Sequence, residues 1–348
     1  MTRQYEIYEI KPNTIRLQQL AKILQRSPEE LRWFHNNYCP LSDLIDPEIQ
    51  SHVKEIYIPI LGTKTHFYAE NKINKPFYDK ANALEVPQFF DKKYGVLQSV
   101  LENNEKITSF HYEIQLRKTT RNNILINKKS VYINHQQPDL IIEQVADQIG
   151  SVFYPLELEL YNNGNLKNIA NFSDIQKRWR EKRKQLTNYY TGKFITDLFY
   201  RIDQQFEYRG QTQRGILDSW FFVMYFWPLY KPLNDQHTHT FNLALPILPK
   251  KPKVLYQVTL QINEVISETK KVTVHLKGQC IDDRLVTEIE AGKVIHNPEL
   301  IGEKAKGYLE FIYHLNASDN SIFSISGYVN LELTERVREI NFECYEQS

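Results

Sequence analysis

The sequence predicts an α+β protein, and three observations carry the prediction. Residues 5–60 give strand and helix signals in the order β-α-α-β, residues 106–235 mix hairpin and helix patterns, and after 235 helix signals nearly vanish in favour of period-two alternation. The expected organisation is a small βααβ domain over 1–60, a linker with short helices over 61–105, an α+β domain over 106–235, and an antiparallel β-rich region over 236–348 that stands apart or joins 106–235. At 348 residues the chain exceeds the usual single-domain size, which fits two or three cores.

The first element is a short run of aromatic and branched residues from Tyr5 to Ile10, broken by Pro12-Asn13. Ile15, Leu20, Ala21, Ile23 and Leu24 then recur at three- and four-residue steps, one stripe of an amphipathic helix with Arg16, Gln18, Gln19 and Lys22 outside it. Ser27-Pro28-Glu29-Glu30 starts a second helix. The Ser27 hydroxyl can accept first-turn amides, Pro28 suits the first helical position, and Glu30 can bond back to the Ser27 amide. Leu31 and Phe34 form its apolar face, Asn36-Asn37 and Pro40 end it, and residues 55–60 alternate as a second strand.

This order resembles a LysM module. Thr14 stands where that family closes the turn after its first strand; Ser27, Glu29, Glu30 and Leu31 match its second helix start, Asn36 the asparagine after it, and Ile58-Pro59 its closing pair. The chain departs from the pattern with Pro12-Asn13 in place of Gly-Asp, no Pro-Gly-Gln turn before the last strand, and a longer connection over 38–53. The resemblance implies a groove for N-acetylglucosamine polymers held by two loops, and it makes Asn13, Thr14, Asn36 and Asn37 the glycan- or partner-binding residues. LysM-like modules without export signals resemble those of phage-tail baseplates and of contractile injection or type VI secretion assemblies. The implied function is a non-catalytic scaffold or adaptor whose partners are other proteins of a multi-subunit assembly. The alternative is a peptidoglycan-binding, wall-acting enzyme or a delivered toxin.

Composition bounds the other classes. With 43 basic and 42 acidic residues the formal net charge is +1, so no global field draws nucleic acid or an anionic membrane. Three cysteines, Cys39, Cys280 and Cys344, are odd in number, far apart and without a CxxC pair, which argues against a disulfide framework or a thiolate zinc site. The first residues lack the apolar core of a signal peptide, and no run approaches the roughly 18 apolar residues that span a bilayer. A cytoplasmic protein, or one carried by a dedicated machine, is expected, with no membrane span.

Along the remainder, residues 61–105 are polar with no sustained period, and a helical piece is expected at 87–101. Residues 107–116 and 124–133 alternate on either side of Asn122-Asn123, as in a hairpin. Leu140, Ile141, Val145 and Ile149 lie on a helical stripe ending at Gly150, and residues 152–161 return to strand. Ser173-Asp-Ile-Gln176 reads as a capping box opening a helix with six basic residues, Lys177, Arg178, Arg180, Lys182, Arg183 and Lys184, against one acidic residue, Glu181. That cluster is either a contact face for nucleic acid or an acidic protein, or a solvated face over a packed stripe of Ile175, Trp179 and Leu186. Residues 194–206 continue at helical spacing, and the apolar run 216–227, too short to span a membrane, is expected in the core. Strands are then expected at 241–248, 253–263, 271–281, 284–290, 307–315, 322–333 and 338–345.

The sequence holds no Gly-rich phosphate loop, HExxH or GxSxG in a usable context, so it points to no catalytic residue, cofactor or metal. Glu157 and Glu159 would point to one face of a strand as a carboxylate pair or as its polar side. His237 and His239 offer two imidazoles with no further ligand at suitable spacing.

Overall fold

The computed structural model describes residues 5–10, 16–24, 26, 28–45, 49, 52–60, 83–118, 120, 122–227, 229–263 and 270–347. Strand β1 (Tyr5–Glu9) pairs antiparallel with β2 (Glu55–Pro59), with Tyr5 opposite Pro59 and Glu9 opposite Glu55. Helices α1 (Leu17–Ile23) and α2 (Pro28–Tyr38) lie between them in sequence. Gln19 accepts the Arg16 amide at 3.0 Å and so holds the first turn of α1. Leu17, Leu20 and Ala21 face inward against Leu31, Ile45, Val53 and Ile56, while Ile23, expected on the same stripe, is exposed.

Among the described residues after β2, the strands build one eleven-stranded sheet in the order β7-β6-β5-β4-β3-β13-β12-β11-β10-β9-β8, with every neighbouring pair antiparallel. Its first half comprises β3 (Phe90–Glu102), β4 (Glu105–Lys118), β5 (Asn123–Ile133), β6 (Leu156–Leu160) and β7 (Leu166–Ile169). Helix α3 (Ile141–Ser151) follows β5, and α4 (Phe172–Tyr189), α5 (Lys193–Glu207), α6 (Arg209–Leu217) and α7 (Trp220–Tyr225) follow β7. The second half is β8 (Thr238–Leu245), β9 (Val254–Ile262), β10 (Lys271–Cys280), helix α8 (Val286–Ala291), β11 (Tyr308–Asn316), β12 (Ile322–Glu332) and β13 (Val337–Gln347).

This corrects the expected fold class. An α+β chain with a LysM-like head, a mixed α/β middle and an antiparallel β-rich C-terminal region gives way to a body made by a single antiparallel sheet. The two halves merge because β13 returns to pair with β3, from Arg338 opposite Glu102 to Gln347 opposite Lys93. No local pattern reveals a pairing over that sequence distance.

Helices cover one face of the sheet. The run expected in the core lies there: Trp220, Phe221, Phe222, Met224 and Tyr225 are all buried. The Tyr313 hydroxyl donates to the Met224 carbonyl at 2.8 Å, and the Tyr94 hydroxyl donates to the Ile322 carbonyl at 2.6 Å and lies 3.3 Å from that of Tyr225. Each of these buried phenols thus has a partner.

The N-terminal unit sits on the other face. Leu97 of β3 packs with Cys39 and Leu44, and Arg32 of α2 pairs with Glu343 of β13 at 2.9 Å while donating to Ser326 at 3.2 Å. Tyr345 donates to the same Glu343 carboxylate at 3.0 Å. The ring of His135 lies 4.3 Å from that of His52 and 4.4 Å from that of His111, a further contact between unit and sheet.

Burial on both faces explains the missed strand. The linker with helical pieces is corrected from residue 90 onward, where β3 stands at the centre of the sheet; residues 61–82 lie outside the described residues. Tyr94 and Val96 face the helices and Leu97 faces the N-terminal unit, so apolar residues fall on both faces and the period-two alternation of a one-sided strand is broken. Residues 284–290, expected as strand, overlap α8: the Glu288 carboxylate accepts the Leu285 amide at 2.8 Å and stabilises a helical turn. The expected capping box is also displaced. Helix α4 starts at Phe172, and Gln176 instead donates to the Phe206 carbonyl at 2.8 Å, tying α4 to the end of α5.

No described helix is long and apolar enough to cross a membrane.

Candidate functional site

Two features rise above the packed background, a cleft beside β5 and a loop after α8. The cleft begins with strand register. Ile124 and Ile126 of β5 are buried against the helices, and the two-residue period puts Lys128 on the same face, opposite Ile114. Strand β6 pairs with β5 only over Asn123 to Ile126, so the rest of β5 runs on beside α3. There a cleft of about 700 Å³ opens, lined among others by Lys128, Tyr132, Gln144, Asp147, Tyr154 and Tyr190. Behind it lies a chamber of about 160 Å³ walled by Phe110, Tyr112, Ile114, Trp220, Phe221 and Phe222. Phe110, Lys128, Val131 and Tyr154 line both spaces.

Lys128 Nζ lies 4.1 Å from the centroid of the Tyr112 ring, and no described carboxylate forms an ion pair with it. Burial lowers its pKa to about 8, and the Asp147 charge opposes the drop. At pH 7 the amine is still mainly protonated. Burial also pushes the Tyr154 phenol up, so that side chain stays neutral. A cation without a carboxylate partner at the mouth of an aromatic chamber can pair with an incoming anion.

The loop is built from charged side chains beneath an apolar tip. Arg284 donates to both oxygens of Asp282, to the Lys293 carbonyl at 2.7 Å and to the Lys253 carbonyl at 2.7 Å. Glu288 accepts from the Asn297 amide at 2.7 Å and from His296 Nδ1 at 2.7 Å. His296 and these backbone donors hold its carboxyl at about 2, well below the usual carboxylate range. Gly292, with φ 77°, turns the chain into the loop. Above this base Val294, Ile295 and Ile301 are 76%, 80% and 102% exposed.

The residues singled out by sequence are scattered. Asn13 and Thr14 lie outside the described residues, and Asn37 falls within α2. Asn36 is buried: its oxygen accepts the Ile45 amide at 2.9 Å and its nitrogen donates to the Ile45 carbonyl at 2.8 Å. It splices α2 to the following segment rather than lining a loop. The basic cluster divides. Lys177, Arg180 and Lys184 are exposed, whereas Arg178 donates to the carbonyls of Val152, Phe153 and Pro155, Lys182 to Gln148 at 3.0 Å, and Arg183 to Asp203 at 3.3 Å. Half of it therefore holds α4 to its neighbours.

Glu157 and Glu159 do share a strand face. Glu157 accepts from Asn123 at 3.1 Å, and Glu159 pairs with Lys167 at 2.6 Å, whose bond lowers the Glu159 pKa. The three cysteines are free thiols, with Cys39 and Cys344 buried, and among the described residues no group of three or more His, Cys, Asp or Glu is placed to hold a metal ion.

No family model matches the sequence, and no curated protein matches it. Among solved structures, one described as "lipid-protein interactions in lipovitellin" overlays 76% of this chain and 25% of that chain, with a TM-score of 0.37 and 10% identity. This chain thus spans about a quarter of that protein's length. At this score the likeness carries neither fold nor function to the present protein.

Lys128 was open to sequence reading. A lysine two residues after Ile124-x-Ile126 breaks the apolar alternation on the buried side, a signal that the hairpin assignment passed over. The chamber behind it was not, because its walls come from β4 and α7, far apart in the chain.

Proposed function

We propose that this protein is a non-catalytic adaptor that docks another protein through the loop at 293–301. The observation carrying the reading is the combination of exposed Val294, Ile295 and Ile301 with the Arg284–Asp282 and Glu288–His296 frame under them. A loop already ordered loses less conformational entropy on binding, and aliphatic side chains left open to solvent gain by being covered by a partner. The resemblance of residues 5–60 to LysM modules supplies the setting: a phage-tail-like contractile injection or type VI secretion assembly, with the protein in the cytoplasm or carried by that machine.

The test is size-exclusion chromatography of the full chain with the products of neighbouring genes. Co-migration is expected, and the double variant Ile295→Asp, Ile301→Asp should lose it while its circular dichroism stays unchanged. A free monomer with every candidate, or co-migration unaffected by the double variant, would overturn the reading. Retention of the full chain on purified peptidoglycan would favour the wall-binding alternative instead.

A further inference from the structure

Lys128 is an amine in a position that the strand pattern reserves for an apolar residue. Holding an ammonium half-buried without a carboxylate partner is unfavourable, and the Tyr112 ring offsets only part of that. The neighbouring charges do not neutralise it. Asp147 and Glu143 of α3 line the outer cleft with Lys129 of β5, beyond ion-pair distance of Nζ, and the other titratable groups around it are the phenols of Tyr112, Tyr132, Tyr154 and Tyr190. The inner chamber of about 160 Å³ is close to the roughly 150 Å³ that suffices for one benzene ring, and the outer cleft of about 700 Å³ falls within the usual range for small-ligand sites.

We propose that the cleft between β5 and α3 binds a small amphiphilic monocarboxylate, with a single ring or branched alkyl group in the chamber of Tyr112, Trp220, Phe221 and Phe222 and the carboxylate paired to Lys128 Nζ. The acidic side chains Glu143 and Asp147 at the mouth select against dianions, because a second negative charge would face them without a cation. This site is independent of the docking loop and stands or falls without it.

Charge linkage makes the proposal measurable. With the free amine titrating near 8, a bound carboxylate needs it protonated, so affinity holds below that pH and falls about tenfold per unit well above it. The experiment is calorimetric titration of the full chain with 3-phenylpropionate at pH 7, with the fluorescence of Trp220, a chamber wall, as a second readout. Saturable one-to-one binding is expected. The uncharged amide of the same probe should bind at least tenfold more weakly, as should 3-phenylpropionate to Lys128→Met. Equal binding of acid and amide, affinity that stays flat from pH 7 to 10, or no saturation by millimolar acid would each overturn the proposal. The pH profile uses the unaltered protein, so it decides the matter even if Lys128→Met does not fold.

Discussion

His35 makes two hydrogen bonds that a neutral imidazole alone can hold together. Its Nδ1 accepts the Tyr57 amide at 3.1 Å, and its Nε2 donates to the Asp43 carbonyl at 2.8 Å. Burial lowers its pKa to about 4, against the weaker pull of the Asp43 carbonyl and charge. The folded value lies below the unfolded one, so the stabilising contribution is whole above about pH 6.5 and is lost as pH falls towards 4, where the unfolded chain has already taken the proton. The loss is expected to reach roughly 3 kcal/mol. Melting temperature against pH should show it, with faster exchange of the Tyr57 amide over the same window. His35→Gln, which cannot charge, should flatten part of the profile. A residual slope should remain from His314, brought to about 4 by burial and by His275 and Lys271. A variant profile parallel to that of the unaltered protein would refute this account. None of it was legible beforehand, because His35 sits in a helix signal and its partners lie on other segments.

At the scale of elements, glycine shows how tightly strands are pressed. A Cβ at Gly327 of β12 would collide with the Glu310 carbonyl oxygen and lie 2.6 Å from Phe311 Cα on the paired strand β11. Gly327→Ala is therefore expected to cost about 2 kcal/mol or more, read as a lower urea midpoint with an unchanged slope. A neutral effect would mean that β11 can shift away. Elements with clear local signals were readable: the strands of the second half alternate in sequence and in burial, as Val254, Tyr256, Val258, Leu260 and Ile262 do on β9. Those that were misread had competing causes. Helix α8 forms because Glu288 caps it, and β3 lost its alternation because it is covered on both sides.

For the whole molecule, the decisive contact is β13 seated between β12 and β3. Removing residues 337–348 should abolish cooperative unfolding of the body, since it leaves two half-sheets with new edges at β3 and β12 and takes Ile340, Phe342 and Cys344, all now buried, out of the core. A truncated chain that still melts in one sharp calorimetric transition would show that the halves are separate domains after all.

The sequence by itself determined most strands of the second half and the burial of the run around Trp220 to Tyr225, because period and composition act over a few residues. Tertiary structure alone decided that the two halves are one sheet, that the N-terminal unit docks on it through Arg32 and Glu343, and that Lys128 faces an aromatic chamber. The physical reason is distance along the chain: pairing, ion pairs and cavity walls join segments a hundred or more residues apart, and neither hydrophobic period nor local capping carries information about which distant surface will meet which.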